Sequence, residues 1–312
     1  MARVGTHDAR RGLRGRTTRA LVRASAALAV FATSWSSLPA DASSAPARSA
    51  PAPTVARPCG VAGAVHYDHV VWILLENVGY SVVGSPAAPY FNSLAQRCGL
   101  ATNYYATTHP SLPNYIALTS GSAQGIVDDG EPNTHPLAVA SLFSQLHGNW
   151  RTYAESMPTP CDRVTSGVYA ARHNPAVYYT NLSDCASRDV PLRTPLELSA
   201  AFTMIVPNVC NDLHSCPVNT GDAWLRRFVP SILTSPQYRS RTLALVITFD
   251  ENTQSSNNRV PTVVVAPSVP QGRRVNVPLT HYSLLRTTET LLHLPLLAGA
   301  RSATSMLGAF HL

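Results

Sequence analysis

Two pairs of adjacent polar residues, Glu76-Asn77 and Asp250-Glu251, each break off a run of apolar side chains. Together they offer three carboxylates and an amide, and no thiolate. Hard oxygen donors of this kind select one divalent cation, Mg²⁺ or Ca²⁺ with Mn²⁺ as a further candidate, over a structural zinc ion. A cation held there would lower the pKa of a nearby hydroxyl and offset the charge of an oxyanion. Such a hydroxyl is on offer in Thr108-His109-Pro110-Ser111-Leu112-Pro113-Asn114-Tyr115, which runs into a helical pattern, IALTSG. Ser111 stands at the expected N-cap, with Pro113 inside the first turn. It is there either as a capping residue or, at the positive end of a helix that favours anions, as a nucleophile. Two histidines join the set: His214, ending the polar stretch Pro207–His214, and His281, just before LLRTTETLL. Histidine titrates near neutrality and so suits proton transfer. His109 and His173 are further candidates.

These residues need elements to bring them together. His69–Leu75 (HVVWILL), Leu243–Phe249 (LALVITF) and Val260–Ala266 are apolar and rich in β-branched residues, the pattern of strands buried on both faces. Between them lie helix-like stretches at 90–97, 136–147, 222–233 and 282–292. The alternation predicts an α/β fold, a mainly parallel central sheet covered by helices on both faces. In such sheets ligands bind beyond the carboxyl ends of the strands, where both acidic pairs are expected.

The chain has 312 residues and a formal net charge of +7, all 24 basic side chains being Arg. Seven of those Arg, with two Asp, lie in residues 1–42, leaving 17 basic and 15 acidic residues in the remainder. A nucleic-acid surface needs clustered cations, and no basic run exceeds two, so nucleic acid is not an expected partner. The cationic head ends in a short apolar run, Ala24–Thr33, followed by Ala40-Asp41-Ala42, the layout of an export signal over 1–42. The run is too short for a membrane span, so a secreted protein without a stable membrane anchor is expected, by the Sec or the twin-arginine (Tat) route. Residues 43–58 read as a Pro/Ala-rich linker and 59–312 as one domain. All six cysteines lie in that domain, and proximity suggests Cys59–Cys98, Cys161–Cys185 and Cys210–Cys216.

Six stretches occur in one order: LLEN (74–77), THPSLPNY (108–115), PNVCNDLH (207–214), GDAWL (221–225), TFDEN (248–252) and THYSLLRT (280–287). In this the chain resembles the phosphoesterase family of bacterial phospholipases C and acid phosphatases, within the alkaline-phosphatase-like superfamily. The resemblance runs from about residue 66 to 296. It implies an alkaline-phosphatase-like three-layer sandwich, a metal held by Glu76, Asn77, Asp250 and Glu251, and Ser111 as both nucleophile and metal neighbour. It further implies that His214 and His281 contact the phosphoryl group or move protons and that Asn114 orients phosphate; Asp212, beside His214, is a second candidate for substrate binding. Tyr115 stands where the phospholipases often carry Arg, and Asn252 where the family often has His or Asp.

The expected activity is hydrolysis of phosphate monoesters, phosphoinositides or other phospholipid headgroups included, with an acidic to neutral optimum. A phospholipase C-type phosphodiesterase is the nearest rival, although those enzymes are usually longer. An exported protein that holds metal and phosphate without turnover is a second. A serine esterase is a third, but its G-x-S-x-G elbow is absent, the nearest stretch being Gly121-Ser122-Ala123-Gln124-Gly125.

Overall fold

The computed structural model describes residues 57–253 and 257–312. The expected leader and nearly all of the linker lie outside these described residues. Among the described residues ten strands are formed: β1 (His69–Leu75), β2 (Gly99–Ala101), β3 (Tyr104–Tyr105), β4 (Trp150–Ala154), β5 (Asp189–Pro191), β6 (Phe202–Val206), β7 (Leu243–Phe249), β8 (Thr262–Val265), β9 (Arg273–Val275) and β10 (Leu279–Thr280). Eight of them make one sheet in the order β5-β4-β6-β1-β7-β8-β2-β9, while β3 and β10 pair apart. Only β8 runs against its neighbours in the large sheet.

The long helices are α1 (Pro89–Arg97), α2 (Ser111–Ser120), α5 (Val218–Leu233) and α7 (His281–Leu291). One-turn helices α3 (Leu142–Gln145), α4 (Cys185–Arg188), α6 (Pro236–Arg239) and α8 (Leu307–Phe310) fill connections. Strand periodicity assigns the layers. Trp72 of β1 pairs with Val246 of β7, and Val246 and Phe249 are an odd number apart, so Trp72 and Phe249 point to opposite faces. Trp72 Nε1 donates to Thr288 of α7 at 3.1 Å, whereas Phe249 packs edge-on against Phe91 of α1. Helices α2 and α7 pack together, and so do α1 and α5. The result is a three-layer α/β sandwich, as expected, with β1, β6 and β7 at its buried centre.

The apolar runs at 69–75 and 243–249 are strands over those residues. The helical pattern at 136–147 is not a helix of that length: only Leu142–Gln145 turn, started by a reciprocal Ser141–Ser144 capping box. Leu137 is buried instead by a bridge to Tyr179. The three disulfides are those that proximity suggests. Among the described residues no helix is long and apolar enough to cross a membrane.

The GDAWL stretch is scaffold. Asp222 accepts from the backbone amides of Tyr90 and Phe91, at 3.0 and 2.8 Å, and so caps α1 from the neighbouring helix α5. Trp224 Nε1 donates to Glu155, whose other oxygen accepts from Asn208 N and Asn211 Nδ2 in the 207–214 loop. Asp222→Ala is expected to cost about 1–2 kcal/mol, read as a lower urea midpoint at unchanged m-value.

Candidate functional site

Register between the two central strands creates the site. Strands β1 and β7 pair residue for residue up to Leu75 and Phe249, so the next residues, Glu76 and Asp250, leave the sheet side by side. The backbone holds them there: Asp250 N donates to Leu75 O at 2.9 Å, and Asn77 N donates to Asp250 Oδ1 at 3.2 Å. Asn77 takes a positive φ of 51°, a conformation Asn tolerates better than most residues, and so turns the chain away after Glu76. From the other neighbour of β1, the loop after β6 brings Asp212, whose carbonyl accepts from Glu76 N at 2.8 Å. The Cys210–Cys216 disulfide closes that loop. Gly221 lets it lie against α5, since a Cβ there would stand 2.7 Å from Asn211 O and from Leu213 Cγ.

Ser111 arrives from α2. It is the first helical residue, one position later than expected, because Pro110 is the N-cap. Its hydroxyl caps nothing; it donates to Glu76 Oε2 at 2.9 Å. Four residues on, and therefore on the same helix face, Tyr115 OH donates to Glu76 Oε1 at 2.6 Å. The free amide that a capping serine would have served belongs to Leu112, which donates to Asp129 Oδ1 at 2.9 Å. Asn114 spends its whole amide on the preceding loop: Oδ1 accepts from Thr107 N and Thr108 N, and Nδ2 donates to Thr108 O and Pro110 O. In this structure it fixes the approach to Ser111 and faces the backbone, where the sequence suggested a phosphate contact.

The four candidate histidines take different positions. His281 is fully buried at the start of α7, and its Nε2 lies 2.6 Å from Asp250 O. A carbonyl can only accept, so Nε2 carries the proton, and Nδ1 of the neutral ring accepts from Tyr104 OH at 3.1 Å. Burial lowers its pKa to about 4. Fully buried and with both nitrogens engaged, His281 pins the Asp250 peptide from behind. His214 is exposed; its amide donates to Asp212 Oδ1 at 2.8 Å, and Asp212 therefore positions the loop. His173 is buried, with Nδ1 3.0 Å from Asp212 Oδ2, Nε2 3.3 Å from Glu76 Oε1, and its ring stacked on Tyr115. Glu76, His173 and His214 thus gather their ligand atoms within 4.8 Å of one another. His109 sets Nδ1 2.5 Å from Glu251 Oε2. No motif marks His173 or Asp129; their only sequence signal is residue type in a loop.

The carboxylates carry the electrostatic tension. Burial, then the neighbouring Glu251, pushes Asp250 up to about 8. Burial and Asp129 push Glu251 up to about 7, and Glu76 is raised by burial and by the charges of Asp250 and Asp212. Asp250 Oδ2 is buried without a hydrogen-bond partner. Three carboxylates that feel one another's charge, one with an unmet oxygen and one accepting from a serine hydroxyl, are a donor set that a hard divalent cation fits.

The profile described as "Phosphoesterase family" matches residues 82–295. The chain is similar to a phosphatidylinositol-3-phosphatase of Mycobacterium tuberculosis, 33% identical over 242 residues that cover 73% of this chain and 78% of the relative. It is also similar to an acid phosphatase of Aspergillus fumigatus, 28% identical over 253 residues, 74% of this chain and 56% of the fungal protein, so it spans little more than half of that relative. Among solved structures, a protein of the alkaline phosphatase superfamily from Vibrio parahaemolyticus shares the fold, with a TM-score of 0.51 at 12% identity, over 73% of this chain and 67% of that one.

Two outcomes are expected. Because folded-state pKa values of these carboxylates are raised, the cation-free protein binds more protons folded than unfolded, from the ordinary carboxylate range up to about 7 for Glu251 and about 8 for Asp250. Its thermal midpoint in EDTA should therefore fall as pH rises through that window. Added Mg²⁺ or Ca²⁺ should raise the midpoint more at pH 8 than at pH 6, with proton release measurable by calorimetry. Gly221→Ala should shift the Asp212–His214 loop and lower activity on phosphate esters more than it lowers the melting temperature.

Proposed function

Because the chain belongs to the Phosphoesterase family and is on that ground a phosphoric ester hydrolase, we propose that it cleaves phosphate monoesters with Ser111 as nucleophile. The observation that carries this is the 2.9 Å hydrogen bond from Ser111 Oγ to Glu76 Oε2, at the point where two strand ends and a helix start converge. Glu76, Asn77, Asp250 and Glu251 would hold one divalent cation, which supplies charge neutralisation for the phosphoryl oxygens and acidifies a neighbouring hydroxyl.

The chain's own groups account for the rest. Ser111 Oγ attacks phosphorus in line and its proton passes to the Glu76 carboxylate. A P–O bond forms to Ser111 as the bond to the leaving alkoxide breaks, and His214, at the open side of the site, gives the alkoxide a proton. Water then attacks the phosphoserine, neutral His214 taking its proton, and the Ser111 O–P bond breaks as Glu76 returns the proton to Ser111 Oγ, releasing phosphate. Tyr115 and His173 hold Glu76; Asn114 and His281 hold the loops that carry Ser111 and Asp250. His214's pKa is lowered by partial burial and by His173 and Arg172. Its acid form is therefore populated toward acid pH, which supports an acidic optimum. Three disulfides support an exported protein. The name of the mycobacterial relative makes phosphoinositide monoesters the first natural substrates to try.

Ser111→Ala should retain the circular dichroism of the parent, with a melting temperature shifted only by the lost hydrogen bond to Glu76, while turnover of p-nitrophenyl phosphate falls by about three orders of magnitude or more. Chelation should abolish the parent's activity, and a divalent cation should restore it. Activity that survives in Ser111→Ala removes this residue from the chemistry.

A further inference from the structure

Against the carboxylates stands a guanidinium whose place is set by the buried site. Ala171–His173 form a single 3-10 turn, and His173 is clamped between Glu76 and Asp212. Its neighbour Arg172 is thereby carried to the mouth of the site, with 21% of its side chain exposed. Arg172 Nη2 donates to His214 Nε2 at 3.1 Å. Arg172 Nε lies 3.9 Å from Asp129 Oδ2, and the other oxygen of Asp129 accepts from Leu112 N at 2.9 Å. One carboxylate therefore joins the guanidinium to the helix amide immediately after Ser111.

A planar fork of N–H donors and a first-turn amide of a helix are the groups with which proteins hold phosphate. Here they hold Asp129. That residue sits on an outer loop, its side chain 38% exposed and Val127 beside it 78% exposed. At 3.9 Å and near solvent the pair contributes little stability and is readily exchanged. His173 Nε2, on a side chain 1% exposed, lies beneath this mouth, 3.3 Å from Glu76 Oε1 without a hydrogen bond of good geometry.

We propose that Arg172 is the cation that recognises the substrate phosphate, and that Asp129 is an internal anion which a phosphate monoester displaces from Arg172 and from Leu112 N. This rests on the phosphomonoesterase reading above and adds the basis of its selectivity. A monoester presents a dianion with three non-bridging oxygens, a diester a monoanion with two. The extra charge and oxygen need a donor beyond the Ser111 side of the site, and Arg172 supplies it.

The test uses the whole protein with Mg²⁺ present. Initial rates are measured on p-nitrophenyl phosphate and bis(p-nitrophenyl) phosphate, together with inhibition by inorganic phosphate and its calorimetric affinity. Arg172→Gln is expected to raise the monoester KM and weaken phosphate binding by about tenfold or more, the size of one charged hydrogen bond. Its kcat should change less, and its diester kcat/KM should fall much less than its monoester kcat/KM. Arg172→Lys, which keeps the charge without the fork, should fall between. Asp129→Asn should move the other way, lowering the monoester KM and tightening phosphate. Shifts of the two residues in the same direction, or equal losses on both esters, would overturn the proposal and make the pair a structural tie. A parent that hydrolyses neither ester would contradict the phosphatase reading separately, with the opposite shifts in phosphate affinity still deciding the role of the pair.

Discussion

The carboxylate of Glu76 is the interaction on which the site depends. It is fully buried, and its two oxygens collect Ser111, Tyr115 and His173 from two different segments of the chain. Buried carboxylates are costly unless each oxygen is satisfied, so this one demands its partners. The demand is met by a helix whose i and i+4 hydroxyls fit the two oxygens, and by a histidine whose other nitrogen is held by Asp212. Placing Ser111 and placing Glu76 are consequently one structural event. The cost left over, from Asp250 and Glu251 crowded alongside, is what a divalent cation would relieve.

The scaffold around this group separates rigid positioning from exchangeable contact. Central strands in register and a short disulfide loop fix Glu76, Asp250 and Asp212. Toward solvent the contacts are longer and more exposed, as in the Arg172–Asp129 pair. That gradient suits an enzyme that keeps its reacting groups still and lets substrate replace outer ones.

Much of this was legible in the sequence, for identifiable reasons. Runs such as HVVWILL and LALVITF are apolar on both faces, which only a covered strand requires, and the acidic pairs ending them had to emerge at one sheet edge. What a polar side chain faces is another matter. His281 and Asn114 belong to the motifs, yet in the structure their polar atoms are taken up by Asp250 O and by the backbone of 107–110. A motif identifies a neighbourhood, and whether a nitrogen points at substrate or at a carbonyl depends on packing that no spacing encodes. Asp129 carried no mark in the sequence and His173 stood only as a further candidate, because each reaches the site from a loop of no regular period. The stretch 136–147 had helical periodicity, but Leu137 found its burial in a bridge to Tyr179.

The most direct test of the account is to look for phosphate on the protein itself. The parent would be mixed with a phosphate monoester, quenched in acid within the first turnover, digested, and its peptides weighed. The account predicts one added phosphoryl group on the peptide containing Ser111, absent after chelation of divalent cations. Turnover with a phosphorylated histidine, or with no labelled peptide at any quench time, would contradict it.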